Sequence, residues 1–217
     1  METEATNQID ITESDNKLIL VGITGGIGSG KTTVSSYLKK KGYPVINADE
    51  VAKHIIENDN IVKKKIIETF GNESYIDDRY NTKFIAKIVF ENEDSEENLN
   101  KLNRIVHPKV LEYIINDIEE LAVAGNKIVF VDIALLFELE LEEGFDCIIT
   151  VVADENLRIA RIENRSKLTQ NEIKQRIKSQ ISQEDKIRYS DFTIENNKSI
   201  EELYKSIDFL LPIILAI

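Results

Sequence analysis

The run Thr24-Gly25-Gly26-Ile27-Gly28-Ser29-Gly30-Lys31-Thr32-Thr33 has the composition of a phosphate cradle. The pattern G-x-x-x-x-G-K-[ST] is complete from Gly25 to Thr32, with an apolar strand before it and an amphipathic helix after it. The glycines let successive backbone N–H groups turn toward one centre, and the helix N-terminus adds positive potential. In such a loop Lys31 reaches the β- and γ-phosphates of a nucleotide and the Thr32 hydroxyl ligates Mg²⁺. Gly26, Ile27, Gly28, Ser29, Gly30, Lys31, Thr32 and Thr33 are therefore the expected nucleotide contacts. A dinucleotide fingerprint is not completed, because Lys31 stands where the third glycine of G-x-G-x-x-G should be. The D-x-x-G and N-K-x-D patterns of guanine switches are absent from the chain.

Transfer of a phosphoryl group also needs acids at the sheet edge and cations over the phosphates. Asp132 ends the apolar run Ile128 to Val131, the place of an acid that meets Mg²⁺ directly or through water. Asp49 comes just after Pro44-Val45-Ile46, at the carboxyl edge where open α/β sheets bind ligands. There it can accept a hydroxyl proton or orient an acceptor, or it can cap the helix containing Val51 and Ile55, and one residue can do both. Glu138, in Leu135-Leu136-Phe137-Glu138, reads equally as a helix-surface carboxylate. Arg158, Arg161 and Arg165 share one helical face, where like charges disfavour the helix by about 0.2–0.5 kcal/mol per pair unless compensated. Asp154 and Glu155 are expected to pair with Arg158. That leaves Arg161 and Arg165 for a polyphosphate, or for solvent. His107, before Pro108, reads as a cap, a packing residue or a ligand contact. Gln180 falls beside the stripe Ile173, Ile177 and Ile181, and faces inward, along a cleft edge, or into solvent.

The elements that must position these residues are legible as short apolar runs at Leu18 to Ile23, Pro44 to Ile46, Ile128 to Asp132, Cys147 to Val152 and Phe192 to Ile194. Runs of this kind suit strands buried on both faces, so the class is α/β with a five-stranded parallel sheet flanked by helices. Thr169 with Glu172 and Ser199 with Glu202 are capping-box signals for two helices. The stretch between the second and third strands exceeds what a crossover helix needs, so it holds an insertion. Within it, residues 72 to 81 are turn-like, Phe84 to Phe90 and Leu99 to Val106 are expected as short helices, and Pro108 is expected to open a long one. The chain of 217 residues, 42% hydrophobic, can bury one substantial core. Its net charge of -12 argues against a nucleic-acid or anionic-membrane surface as the main partner. Cys147 lies in an apolar run with no second cysteine, so a buried, inert thiol is expected, and two histidines give no zinc spacing. Residues 1 to 16 are acidic and polar and are expected to form a disordered extension; they lack the apolar stretch of a signal peptide, which predicts a cytosolic protein. Phe209 to Ile217 is too short to span a bilayer and is expected to pack as a helix end.

Taken together, the chain from about Leu18 to Leu210 resembles the dephospho-CoA kinases. The resemblance rests on Gly22 to Thr32, Ala48-Asp49, His107-Pro108, Asp132-Ile133-Ala134-Leu135-Leu136-Phe137-Glu138, Arg161 with Arg165, Gln180, and Ser190-Asp191 leading to Asn196. It implies a P-loop NTPase fold of the nucleoside-monophosphate-kinase kind, with a helical acceptor-binding insertion at about 72 to 120 and a lid at about 158 to 180. It also implies ATP and Mg²⁺ as the requirements and dephospho-CoA as the acceptor. The implied reaction is phosphorylation of the ribose 3'-hydroxyl to give CoA and ADP, the last step of coenzyme A biosynthesis. By the same resemblance Lys31, Asp49, Arg161 and Arg165 are catalytic, and Asn196 lies near the adenine end of the ATP site. Asp49, His107, Leu135, Phe137, Glu138 and Gln180 then contact the acceptor, and Thr32 and Asp132 hold the metal. A kinase of another small acceptor, such as a nucleoside monophosphate, shares the core, and a non-catalytic ATP-binding module is the rival of a different class. The chain departs from the family pattern at Asn47, usually Asp; at Ala134, commonly Pro; at Asn81-Thr82, often Asp-Arg; and at Lys198, usually Gly.

Overall fold

The structure is a computed structural model that describes residues 17–90, 94–166 and 169–217. The expected extension at residues 1 to 16 lies outside this set, as do Lys167 and Leu168 of the expected lid. The strands are β1 (Ile19–Thr24), β2 (Val45–Asn47), β3 (Tyr75–Ile76), β4 (Arg79–Tyr80), β5 (Ile128–Asp132), β6 (Cys147–Val152) and β7 (Phe192–Glu195). Five of them lie side by side as β2-β5-β1-β6-β7, every neighbouring pair parallel. The helices are α1 (Lys31–Lys40), α2 (Ala48–Asn58), α3 (Asn60–Phe70), α4 (Thr82–Phe90), α5 (Ser95–Val123), α6 (Glu155–Arg165), α7 (Gln170–Lys178), α8 (Gln183–Arg188) and α9 (Ile200–Ile214).

Alternation along each strand divides the interior in two. On one face Ile46, Val129, Val131 and Ile148 pack with Val51, Ile55, Ile66, Ile85, Val110 and Ile114 from α2 to α5. On the other, Val21, Ile23, Ile128, Phe130, Cys147, Ile149 and Val151 pack with Val34 and Leu38 of α1 and with Leu203, Ile207, Leu211 and Ile214 of α9. Cys147 is buried, and burial pushes its thiol pKa up to about 12, which keeps it protonated and inert. At the end of α9, Leu211 and Ile214 reach the core while Phe209 stays exposed.

The region between β2 and β5 differs from the expected outline. Residues 72 to 81 form a 3₁₀ turn and the β3–β4 hairpin, whose connection is Asp77-Asp78 at φ 48° and 67°. Aspartate tolerates that left-handed backbone, which suits a two-residue hairpin. Leu99 to Val106 and the segment after Pro108 are one helix, α5, with Pro108 in its interior. An internal proline costs about 3 kcal/mol. The buried stripe Val106, Val110 and Ile114 runs through the proline into the core formed with α2, α3 and α4, and this packing keeps the helix continuous. The Thr169–Glu172 capping box is present. Ser199 does cap Glu202 N, but the Glu202 carboxylate pairs with Lys198, so the reciprocal half of that box is missing. Helix α7 ends at Lys178, so Ile181 lies beyond the helical stripe predicted for it.

Candidate active site

The phosphate loop joins β1 to α1 at the carboxyl edge of the sheet. Ser29 N donates to Gly26 O at 3.0 Å, and Thr33 N and Val34 N both donate to Gly30 O, which starts the helix on the loop itself. Gly30 has φ 99°, and a Cβ there would fall inside van der Waals contact of Asn196 Nδ2. Both reasons require glycine. Asn196 is buried and donates from Nδ2 to Ser29 O at 2.8 Å, so it props the loop from behind. Ser29 is itself buried, its hydroxyl without a hydrogen-bond partner among the described residues. Thr32 is exposed, beside Lys31 at the first turn of α1.

Asp132 is the hub of the edge. It is 1% exposed at the end of β5 and forms an ion pair with Lys31 Nζ. Its Oδ2 accepts Ser35 Oγ at 2.6 Å and Asn47 Nδ2 at 3.3 Å. Asn47 also caps α2, with Oδ1 accepting Glu50 N at 3.0 Å. Asp49 is therefore not the cap of this helix, because Asn47 occupies that position. Asp49 lies in the first turn, exposed, beside a groove of about 90 Å³ that it shares with His107, Leu135, Ala52, Val110 and Ile114. Burial lowers the His107 pKa, which keeps the ring neutral near pH 7. The groove brings together Asp49, His107 and Leu135 of the predicted acceptor contacts.

Other predicted contacts are placed differently. Phe137 is buried against Tyr189, ring centroids 5.8 Å apart, and is absent from the groove wall. Glu138 sits in a turn rather than on a helix, and its two oxygens accept Lys186 Nζ at 2.8 and 2.9 Å. Its Oε1 also accepts Ile181 N at 3.0 Å. Gln180 is half-buried and accepts Ile27 N at 2.9 Å, so it meets the phosphate loop rather than the groove. Arg161 donates to Asn196 O at 2.8 Å and more weakly to Gly28 O and Ser29 O. Arg161, Arg165, Asn196, Gly28, Gly30, Thr33 and Lys198 line a second cleft of about 310 Å³.

Two residues outside the sequence expectations complete the site. Arg158 is buried against the loop instead of pairing with Asp154 or Glu155, and its Nε donates to Ile27 O at 2.9 Å. The shared helical face with Arg161 was its only signal. Lys186, on α8, is 1% exposed, and burial lowers its pKa although Glu138 opposes the shift. Nothing in its spacing marks it, because Glu138 is distant in sequence. The pair ties the turn after β5 to the segment after α7. Substituting Lys186 with Met should lower stability by about 3 kcal/mol, since a carboxylate loses its buried partner, or roughly 6–12 °C for a chain of this size. Adding Glu138→Leu should recover most of that loss; thermal denaturation of both variants measures it.

The family model for dephospho-CoA kinase matches residues 19–202. The chain belongs to the dephospho-CoA kinase family. A dephospho-CoA kinase of Fusobacterium nucleatum is 40% identical over 193 residues, covering 88% of this chain and 96% of that protein. A solved protein of Thermus thermophilus is 31% identical with TM-score 0.76, covering 90% of this chain and 97% of the other. The dephospho-CoA kinase structure from Campylobacter jejuni is 26% identical with TM-score 0.66, covering 91% and 97%. As a member of the dephospho-CoA kinase family the chain is an ATP-dependent phosphotransferase, which removes the non-catalytic reading left open by its residues.

Proposed function

We propose that this protein phosphorylates the ribose 3'-hydroxyl of dephospho-CoA with ATP, using residues that meet at one edge of the sheet. The observation that carries this reading is the double attachment of Asp132, to Lys31 on the phosphate loop and to Asn47 at the head of the helix bearing Asp49. Donor and acceptor sites thereby share one centre in the resting site. The phosphates of ATP lie on the backbone of Gly26 to Thr33, and its adenosine enters the cleft lined by Asn196 and Arg161. The acceptor enters the groove beside Asp49 and His107. Its present volume holds only part of a nucleoside, so the rest of the acceptor extends beyond the groove.

In the reaction Asp49 holds the acceptor hydroxyl in line with the γ-phosphorus and takes its proton. Lys31 releases Asp132 and moves to the non-bridging oxygens, where charge develops. Arg161 and Arg165 close the lid over the cleft. Thr32 and Asp132 would hold Mg²⁺: both are oxygen donors, and Mg²⁺ relies on one or two carboxylates plus substrate phosphates rather than a cage of protein ligands. Bound there, the metal would supply positive charge against the nucleotide phosphates. A cytosolic setting fits the buried, unpaired Cys147.

Incubation with ATP, Mg²⁺ and dephospho-CoA should give ADP and a product heavier by one phosphoryl group, located at the 3'-position by phosphorus NMR. ADP release with a nucleoside monophosphate and none with dephospho-CoA would overturn the assignment.

A further inference from the structure

Three cations are buried among the described residues, and two of them are neutralised. Lys31 has Asp132 and Lys186 has Glu138. Arg158, 6% exposed, has no carboxylate within ion-pair distance among the described residues. Arg158 is pressed onto the loop: a Cβ on Gly26 would lie 2.5 Å from one of its terminal nitrogens, and a Cβ on Gly28 would lie 2.7 Å from the Arg158 backbone oxygen. Of its five N–H donors, one is used among the described residues, from Nε to Ile27 O. Burial pulls its pKa down, with Glu155 and Glu184 opposing from a distance, yet a guanidinium keeps its proton in proteins. A buried charge of this kind is costly unless a counter-ion completes it.

We propose that Arg158 is a polyphosphate-binding residue, whose terminal nitrogens take oxygens of the nucleotide phosphates seated on the Gly26–Gly28 backbone. The proposal rests on the reading of that loop as the ATP site. Its Nε bond has a second effect. It holds the Ile27 carbonyl, and with it the Ile27–Gly28 peptide, in one orientation. The anion and the loop backbone are thus organised by one side chain.

The test compares wild type, Arg158→Gln and Arg158→Lys by calorimetry with ATP and with AMP, and by the melting shift that linear tripolyphosphate induces. Arg158→Gln should bind ATP about 10- to 100-fold more weakly, the size of one charged hydrogen-bond pair, with AMP changed less than about 2-fold. Its tripolyphosphate shift should shrink at equal ligand concentration, and Arg158→Lys should recover part of both effects. Equal losses for ATP and AMP would show a purely structural prop and overturn the proposal, as would wild-type ATP affinity. Should Arg158→Gln fail to fold, the same criteria apply to Arg158→Lys, which retains the charge but not the paired nitrogens. Wild-type protein that binds neither ATP nor tripolyphosphate would instead overturn the assignment of the loop.

Discussion

Replacing Lys31 with Ala should lower kcat by roughly 10²-fold or more, since it removes a preorganised cation from the oxygens that gain charge in the transition state. The structure adds a second expected effect. Lys31 is paired with Asp132, which is almost fully buried, so among the described residues the variant leaves that carboxylate Ser35 and Asn47 as donors. Loss of one partner of a buried pair costs about 3 kcal/mol, on the order of 10 °C in melting temperature. Activity must therefore be read well below the melting point. Adding Asp132→Asn to Lys31→Ala should restore much of the stability and none of the turnover. A folded Lys31→Ala protein with near wild-type kcat would be incompatible with the role given to the loop.

Asp49→Asn should slow transfer to dephospho-CoA by about 10²- to 10⁴-fold, the usual effect of deleting a general base. Asn47, not Asp49, caps α2, so the substitution leaves that cap untouched. What it removes from the fold is one negative charge near a helix N-terminus, worth about 0.3–1 kcal/mol. Melting should consequently shift by only a few degrees. ATP affinity by calorimetry should remain at the wild-type value, because Asp49 lies beside the acceptor groove and not on the phosphate loop. Undiminished transfer would leave Asp49 as a surface charge of the first turn.

The parts of the site legible in the sequence are those where local order and tertiary place coincide. Gly25 to Thr32 form a cradle because they are contiguous, and Asp132 ends a strand whose five residues are all buried. Long-range pairing was not legible. Arg158 has two acids within one helical turn, yet it turns to Ile27, far away in sequence, because the glycine loop leaves room for a guanidinium that a side chain would occupy. Glu138 reads as a helix-surface carboxylate or an acceptor contact, and α8 instead brings Lys186 to it. Pro108 gave a sound local signal for a helix start, and the apolar stripe around it overrode that signal.

The two-faced core has a consequence for how such a kinase can change. The groove beside Asp49 is walled by α2 and α5, which pack on one face of the sheet, whereas the phosphate loop leads into α1 on the other. Because strand side chains alternate, remodelling of the first interior need not move an atom of the second. Natural variation can therefore rework the acceptor half through insertions and core exchanges while the nucleotide half is inherited unaltered. Asp132 and Asn47, the stitch between the halves, are where the two histories must remain compatible.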